Sequence, residues 1–226
     1  MIAAASVPAL CRAAFRLFAP SVMNRPAPIA ERLKKPVFRD EAHFIRSWLE
    51  KPLSIGAVSP SSKFLARMVA APIDPAIPGQ ILELGPGTGP VTEALLERGV
   101  AEDRLVLVEY DPGFVDLLRK RFPRATVIQG DAYGIRNTVA KLMHGPAAGL
   151  VSSLPLLTKP MPHRARFLRH CLDLVLPGAP VVQFTYSVAP PAPPSLIRDT
   201  LVEGSPVVWR NIPPARVWTY RRPGQA

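Results

Sequence analysis

Cysteine is nearly absent from this chain. Cys11 and Cys171 are its only two thiols in 226 residues, with no CxxC pair and no cluster of histidines. That argues against a disulfide framework and against a structural zinc site, predicts no metal centre, and fits a reducing compartment. No stretch stays apolar for the ~18 residues a spanning helix requires, so no transmembrane segment is expected. Acids are scarce as well: 17 Asp and Glu against 28 Lys and Arg leave a formal net charge of +11 and a sequence pI of about 10.4. Such a balance predicts an anionic partner, either nucleic acid or an acidic membrane surface. Internal repeats are absent too. The length suits one domain with its own core plus a short appendage, and the 28 prolines mark several linkers.

What is present is organised around Ile81-Leu82-Glu83-Leu84-Gly85-Pro86-Gly87-Thr88-Gly89. An apolar strand runs into an acid, then into three glycines at alternate positions, then into a helix opening at Pro90. Glycines serve turns that need positive φ or a ligand lying against bare backbone, and strand–turn–helix units of this kind bind nucleotide-like ligands in open α/β sheets. The spacing is GxGxG, with Pro90 where the dinucleotide fingerprint needs its third glycine, and no Gly-Lys-Ser/Thr follows as a phosphate loop would require. An acid before the turn and no base within it suit a ligand bearing an amine and a ribose. S-adenosylmethionine (SAM) is the expected cofactor.

The first thirty residues carry Arg12, Arg16 and Arg25 and no acid. Between Pro8 and Pro20, Leu10, Cys11, Ala14, Phe15, Leu17 and Phe18 fall on one helical face with Arg12 and Arg16 opposite, the pattern of an interfacial membrane helix. A helix packed on the domain's own core, a transit peptide and a signal peptide compete with that reading, although no basic region precedes the apolar run and no persuasive cleavage site follows it. Glu31 to Arg39 forms a basic hinge able to rest on anionic head groups. Residues 1–39 are therefore expected to be a membrane-surface segment and residues 40–226 the catalytic domain. Asp40–Leu49 reads as a helix, and Ser54–Ser62 as a small-residue loop leading to a helix over Lys63–Ala71 and placed to act as a lid. From residue 81 onward strands and helices alternate: strands at Ile81–Leu84, Leu105–Val108, Thr126–Ile128, Gly149–Ser153 and Pro180–Tyr186, helices at Val91–Glu97, Phe114–Arg121, Ile135–Met143 and Arg164–Leu176. This predicts an α/β fold, a mostly parallel sheet with helices on both faces. Val207–Ile212 and Arg216–Tyr220 are expected to close the sheet as an antiparallel pair, giving seven strands.

Strand two ends in Glu109-Tyr110-Asp111, on the order of 20 residues past the glycine turn, where a carboxylate accepts hydrogen bonds from ribose hydroxyls. Gln129-Gly130-Asp131-Ala132 follows strand three, placing a side chain and a backbone N–H to read an adenine edge. Each acid alone could simply cap the next helix; their order at successive strand ends points to one site. These motifs together resemble the class I SAM-dependent methyltransferases of Rossmann-like fold, in the branch of the rRNA adenine dimethylases. Ile55-Gly56-Ala57-Val58-Ser59-Pro60-Ser61-Ser62 and Val151-Ser152-Ser153-Leu154-Pro155 further resemble the bacterial phospholipid N-methyltransferases, which methylate phosphatidylethanolamine stepwise towards phosphatidylcholine. The resemblance covers roughly Phe44 to Tyr186.

The resemblance implies that Glu83, Gly85, Gly87 and Gly89 hold the methionine part of SAM, Glu109 with Tyr110 the ribose, and Asp131 with Ala132 the adenine. It also implies that Ile55, Gly56 and Ala57 close over the site, with Ser152 beside the cofactor. An adenine dimethylase would carry Asn-Leu-Pro-Tyr after strand four, an amide and a stacking ring for a flipped base; here the place reads Ser153-Leu154-Pro155-Leu156, which suits an aliphatic amine. Ser153, Tyr186 and His163 are the candidates for contact with the reacting amine or its phosphate, Tyr186 through cation–π attraction. A core tyrosine and a helix-capping histidine are the plainer readings of the last two. Some of Lys159, Arg164, Arg166, Arg169, Arg198, Arg210, Arg216, Arg221 and Arg222 are expected to grip phosphate. The expected protein is a cytoplasmic enzyme peripheral to the inner face of the cytoplasmic membrane, binding an anionic surface through its N-terminal helix, with a phospholipid substrate and no nucleic-acid partner. An RNA adenine N6-methyltransferase and a non-catalytic SAM- and membrane-binding protein are the alternatives.

Overall fold

A computed structural model describes residues 63–139, 143–211 and 213–224. The N-terminal helix, the Asp40–Leu49 helix and the loop holding Ile55, Gly56 and Ala57 lie outside the described residues.

The described chain builds one seven-stranded sheet, β1 (Ile81–Leu84), β2 (Leu105–Glu109), β3 (Thr126–Gln129), β4 (Gly149–Ser152), β5 (Val181–Thr185), β6 (Leu201–Gly204) and β7 (Arg216–Arg221), in spatial order β3-β2-β1-β4-β5-β7-β6. The first five strands are parallel, while β7 runs antiparallel between β5 and β6. Central strands buried on both faces read as unbroken apolar runs, and β1, β2 and β4 are buried at every position. Residue parity divides them between two cores. Leu82, Leu84, Val106, Val108, Leu150 and Val181 pack beneath α4 (Ile135–Val139) and α5 (Met161–Leu172). Ile81, Leu105, Leu107, Val151 and Val182 pack beneath α1 (Lys63–Ala70), α2 (Pro90–Glu97) and α3 (Pro112–Arg121). The helices on both faces follow from this alternation.

Two expected boundaries move. Val207–Ile212 is not the sixth strand: Leu201–Gly204 pairs with β7, and the later stretch contributes only the isolated bridge Val208↔Ala215. Pro206, Pro213 and Pro214 flank that stretch and offer no ladder donors, whereas 201–204 is short and holds Glu203 and Gly204, which hid it. The helix expected over Arg164–Leu176 starts at Met161 and stops at Leu172. Val175 leaves it to bridge Ala147, with Ala147 N–H donating to Leu174 O and Leu176 N–H to Ala147 O, both at 2.8 Å.

Arginines fasten the loops. Arg104 donates to the carbonyls of Gly79 and Pro75, both at 2.7 Å, and to that of Ile77, shaping the turn into β1. Arg164, half-buried, donates to Lys159 O at 2.6 Å, Leu157 O at 3.1 Å and Pro191 O at 3.4 Å. It therefore ties the loop after β4 to the connector after β5. Arg221 and Arg222 pair with Glu203 (3.0 Å) and Asp173 (2.8 Å).

Candidate active site

Because the first five strands are parallel, their carboxyl ends share one edge, where the glycine turn, Glu109 and Asp131 follow β1, β2 and β3. The glycine turn leaves β1 with Gly85, Gly87 and Gly89 all at positive φ, 68°, 58° and 89°. The three do different work. A Cβ on Gly85 would stand 2.9 Å from Leu154 Cδ2, so the loop after β4 lies directly on that glycine. A Cβ on Gly89 would meet the Phe122 ring at 2.6 Å; this glycine is the left-handed cap of α2 packed against the end of α3, not a wall of the ligand space. Gly87 alone faces nothing within 4 Å: bare backbone bordering open space. Arg121 braces the outside of the turn by donating to Thr88 O and to Glu93.

Glu109, at the end of β2, organises this edge. Its Oε2 accepts from Gly87 N–H (3.0 Å) and its Oε1 from Tyr110 N–H (2.8 Å) and Asp111 N–H (3.0 Å). The carboxylate thus holds the glycine turn and its own loop together, with acceptor capacity left for a ligand hydroxyl. Register places Gln129 beside Glu109 and sends Gly130 N–H to Glu109 O (2.9 Å), which brings Asp131 alongside. Asp131 is exposed and accepts from Tyr133 N–H at 2.9 Å, and Asp111 caps α3 through Phe114 N–H at 3.0 Å. Capping and ligand reading are therefore both open to Asp131. Tyr110, next to Glu109 in the chain, is 77% exposed.

Glu83 is fully buried beneath α2. Its Oε2 accepts from Thr92 Oγ1 at 2.8 Å, while Oε1 has no hydrogen-bond partner. Burial pushes its carboxyl up to about 8, opposed by the Thr92 hydroxyl and reinforced by the charge of Glu109. A buried acceptor without a donor is a costly arrangement that an ammonium would relieve. The orphaned oxygen, the open face of Gly87 and the poised Glu109 carboxylate together fit SAM: amine, backbone-hugging linker and ribose.

Beyond the cofactor edge, Ser152 is fully buried, its Oγ accepting from Leu154 N–H at 3.4 Å, and Ser153 N–H donates to Leu84 O at 2.9 Å. Both serines support the loop after β4. Tyr186 follows β5, half-buried, edge-on to Phe184 at 5.8 Å and hydrogen-bonded to Asn211; burial raises its pKa. His163 is exposed in the first turn of α5, its backbone N–H donating to Pro160 O at 2.9 Å. Gln183 was missed by sequence reasoning. Fully buried, it donates from Nε2 to Leu154 O (3.0 Å) and Phe184 O (2.8 Å) and so pins the same loop, with Oε1 left unpartnered. The signal was an amide inside the apolar strand Val-Val-Gln-Phe-Thr. Among the described residues there is no cluster of side chains able to hold a metal.

Comparison with solved structures agrees with this geometry. An O-methyltransferase from Bacillus cereus, in complex with SAH, superposes with a TM-score of 0.52 at 17% identity, covering 84% of this chain and 93% of that one. The fold is that of the class I SAM-dependent methyltransferases. SAM is its cofactor. Residues 62–144 match the ribosomal RNA adenine dimethylase family, a match that ends before the loop after β4. An ornithine lipid N-methyltransferase from Singulisphaera acidiphila is 28% identical over 145 residues, 63% of this chain and 76% of that protein. A ribosomal RNA small subunit methyltransferase A from Synechococcus sp. (strain JA-3-3Ab) is 36% identical over 91 residues, 39% of this chain and 29% of that protein. The chain thus spans less than a third of that RNA enzyme's length.

The three glycines of this methyltransferase turn make separable predictions. Gly89→Ala forces a Cβ into Phe122 at a strained φ and is expected to lower the melting temperature of the ligand-free protein. Gly87→Ala meets no protein atom and costs only the left-handed backbone, about 1–2 kcal/mol, yet its methyl enters the ligand space and is expected to weaken SAM binding more than folding. Thermal melts with and without SAM distinguish the two; equal effects of both substitutions on SAM affinity would refute the division.

Proposed function

We propose that this protein transfers methyl groups from SAM to the amine of phosphatidylethanolamine and of its mono- and dimethyl derivatives, towards phosphatidylcholine. The observation that supports this reading best is the loop after β4. Where a base-flipping enzyme would offer an amide and a stacking ring, Ser153-Leu154-Pro155-Leu156 lays Leu154 on Gly85 and buries Leu156 in the core. No aromatic face is offered there to a base, while a small aliphatic amine needs none. SAM supplies a methyl on a sulfonium. The amine must arrive neutral and in line with it, so the chain's own work is positioning and removal of one proton. No carboxylate lies in residues 153–160 to hold the amine charged. Tyr186, at the substrate side of the same edge, offers a π face to the amine and to its increasingly cationic products.

A second reading, the amine of an ornithine lipid, is favoured by the similarity to the Singulisphaera enzyme. The test gives the full-length protein radiolabelled SAM with three substrates in parallel: phosphatidylethanolamine in detergent mixed micelles, ornithine lipid in the same micelles, and unmethylated ribosomal RNA. Label in mono-, di- or trimethylated phosphatidylethanolamine is expected. Label in ornithine lipid alone moves the substrate within the aminolipids, and label in RNA alone overturns the reading. Deleting residues 1–30, the proposed membrane-surface segment, is expected to weaken sedimentation with anionic vesicles and leave SAM affinity unchanged; undiminished vesicle binding would remove that role.

A further inference from the structure

Large hydrophobic side chains exposed to solvent are unevenly placed on this fold. Of the seven among the described residues, Phe64, Tyr110, Met161, Val188 and Trp209 sit on segments at the carboxyl edge of the parallel strands, the edge that carries the candidate active site. The remaining two, Leu196 and Leu201, lie towards the opposite edge, where Leu201 pairs with Arg221. Trp209 and Val188 are 76% and 75% exposed, and their backbones are held firmly. Trp209 tips the loop between β6 and β7, between buried Val208, bridged to Ala215, and buried Asn211, whose Nδ2 donates to Pro213 O at 2.7 Å. Arg216 bolts this loop to the one after β5, donating to Ser205 O at 2.6 Å and to Val188 O at 3.3 Å. The scaffold is ordered and the indole is displayed.

Charge follows the same asymmetry. Beyond residue 132 the chain has eleven Lys and Arg but only Asp173, Asp199 and Glu203 as acids. Asp173 and Glu203 are paired with Arg222 and Arg221, and Asp199 precedes β6 at the far edge. At the near edge the Arg210 guanidinium lies 4.7 Å from the Phe64 ring centroid, and no acid occurs in 204–216 or 186–194. Tryptophan displayed beside arginine, with no acid in either of these two loops, suits the boundary between head groups and acyl chains of an anionic bilayer.

We propose that the carboxyl edge of the substrate half, led by Trp209 and Val188 with Arg210 beside them, docks on an anionic phospholipid bilayer and brings the head-group plane to Tyr186. The choice of lipid over RNA rests on the function proposed above. Asn211, hydrogen-bonded to Tyr186, couples the docking loop to the substrate side. The residues proposed to dock are other than those of the proposed membrane-surface segment 1–39.

The test uses the full-length protein. The chain has three tryptophans, Trp48, Trp209 and Trp218, so Trp48→Phe leaves Trp209 and the buried Trp218 as reporters. Vesicles of phosphatidylcholine and phosphatidylglycerol with brominated acyl chains are expected to quench the W48F protein and to leave W48F/W209F almost unquenched. Arg210→Ser is expected to lower vesicle partitioning about fivefold without changing SAM affinity. Equal quenching of the two tryptophan variants overturns the proposal, as does a Trp209 response to ribosomal RNA but not to vesicles. Methylation in detergent mixed micelles, which present no bilayer, reports on the substrate separately. Micellar methylation without Trp209 quenching refutes the docking surface alone, and quenching without methylation of any lipid refutes the substrate alone.

Discussion

Glu109→Ala is expected to weaken SAM binding by at least about 100-fold, on the order of 3 kcal/mol, and to destabilise the ligand-free protein as well. Both losses come from one carboxylate with two duties. It accepts the N–H groups of Gly87, Tyr110 and Asp111, and hydrogen bonds to a charged partner are worth about 1.5–3 kcal/mol each. Removing it leaves three donors at a nearly buried site (8% exposed) and frees the turn whose open face receives the ligand. The proposed ribose contact is lost with them. Glu109→Gln separates the duties: the amide oxygen can still serve part of the loop, so the melting temperature should recover more than SAM affinity does. Calorimetric titration with SAM and thermal melts of the ligand-free variants check both expectations. Unchanged SAM affinity in Glu109→Ala would remove Glu109 from the cofactor site.

The place of Glu109 at the end of β2 shows where sequence reasoning succeeds and where it stops. Its placement was legible because strand periodicity and a glycine turn locate strand ends, and class I sheets gather those ends along one edge. The five parallel strands and both sets of helices followed from the same alternation. What the pattern could not carry was side-chain direction and contact. GxGxG reads as three equivalent glycines, yet one borders the ligand space and the others are filled by Leu154 and Phe122, partners 69 and 33 positions away. Which of the nine basic residues after β4 grip phosphate was not legible, because an arginine near a substrate loop is indistinguishable, in sequence, from one like Arg164 spending its donors on backbone carbonyls. The antiparallel end of the sheet was misplaced because four-residue β6 carries weaker strand signals than the proline-bounded stretch after it, which became the loop displaying Trp209. Gln183 was passed over since a strand amide has no local role until its partner loop is known.

Glu83→Gln is expected to abolish a pH dependence that the wild-type protein shows in both stability and SAM binding. In the folded, ligand-free protein burial raises the Glu83 carboxyl from 4.5 to about 8. Unfolding exposes it and restores the lower value, so between these two pH values the folded state holds a proton that the unfolded state has released. Stability from this group is therefore fully present below about 4.5 and is lost as pH rises towards 8. At about 1.4 kcal/mol per pH unit, the wild-type protein should lose on the order of 5 kcal/mol across that window relative to Glu83→Gln. An ammonium beside the unpartnered Oε1 favours the carboxylate, so SAM binding should expel this proton, and affinity should rise with pH through the same range. Thermal melts at stepped pH measure the first effect. Titration calorimetry in buffers of different ionisation enthalpy measures the second as protons released per SAM bound. Glu83→Gln should flatten both profiles and bind SAM more weakly, because its amide presents a dipole where the ligand needs a charge. Parallel stability profiles for the two proteins would mean that Glu83 is ionised throughout. Unchanged proton release would place the ammonium elsewhere in the site.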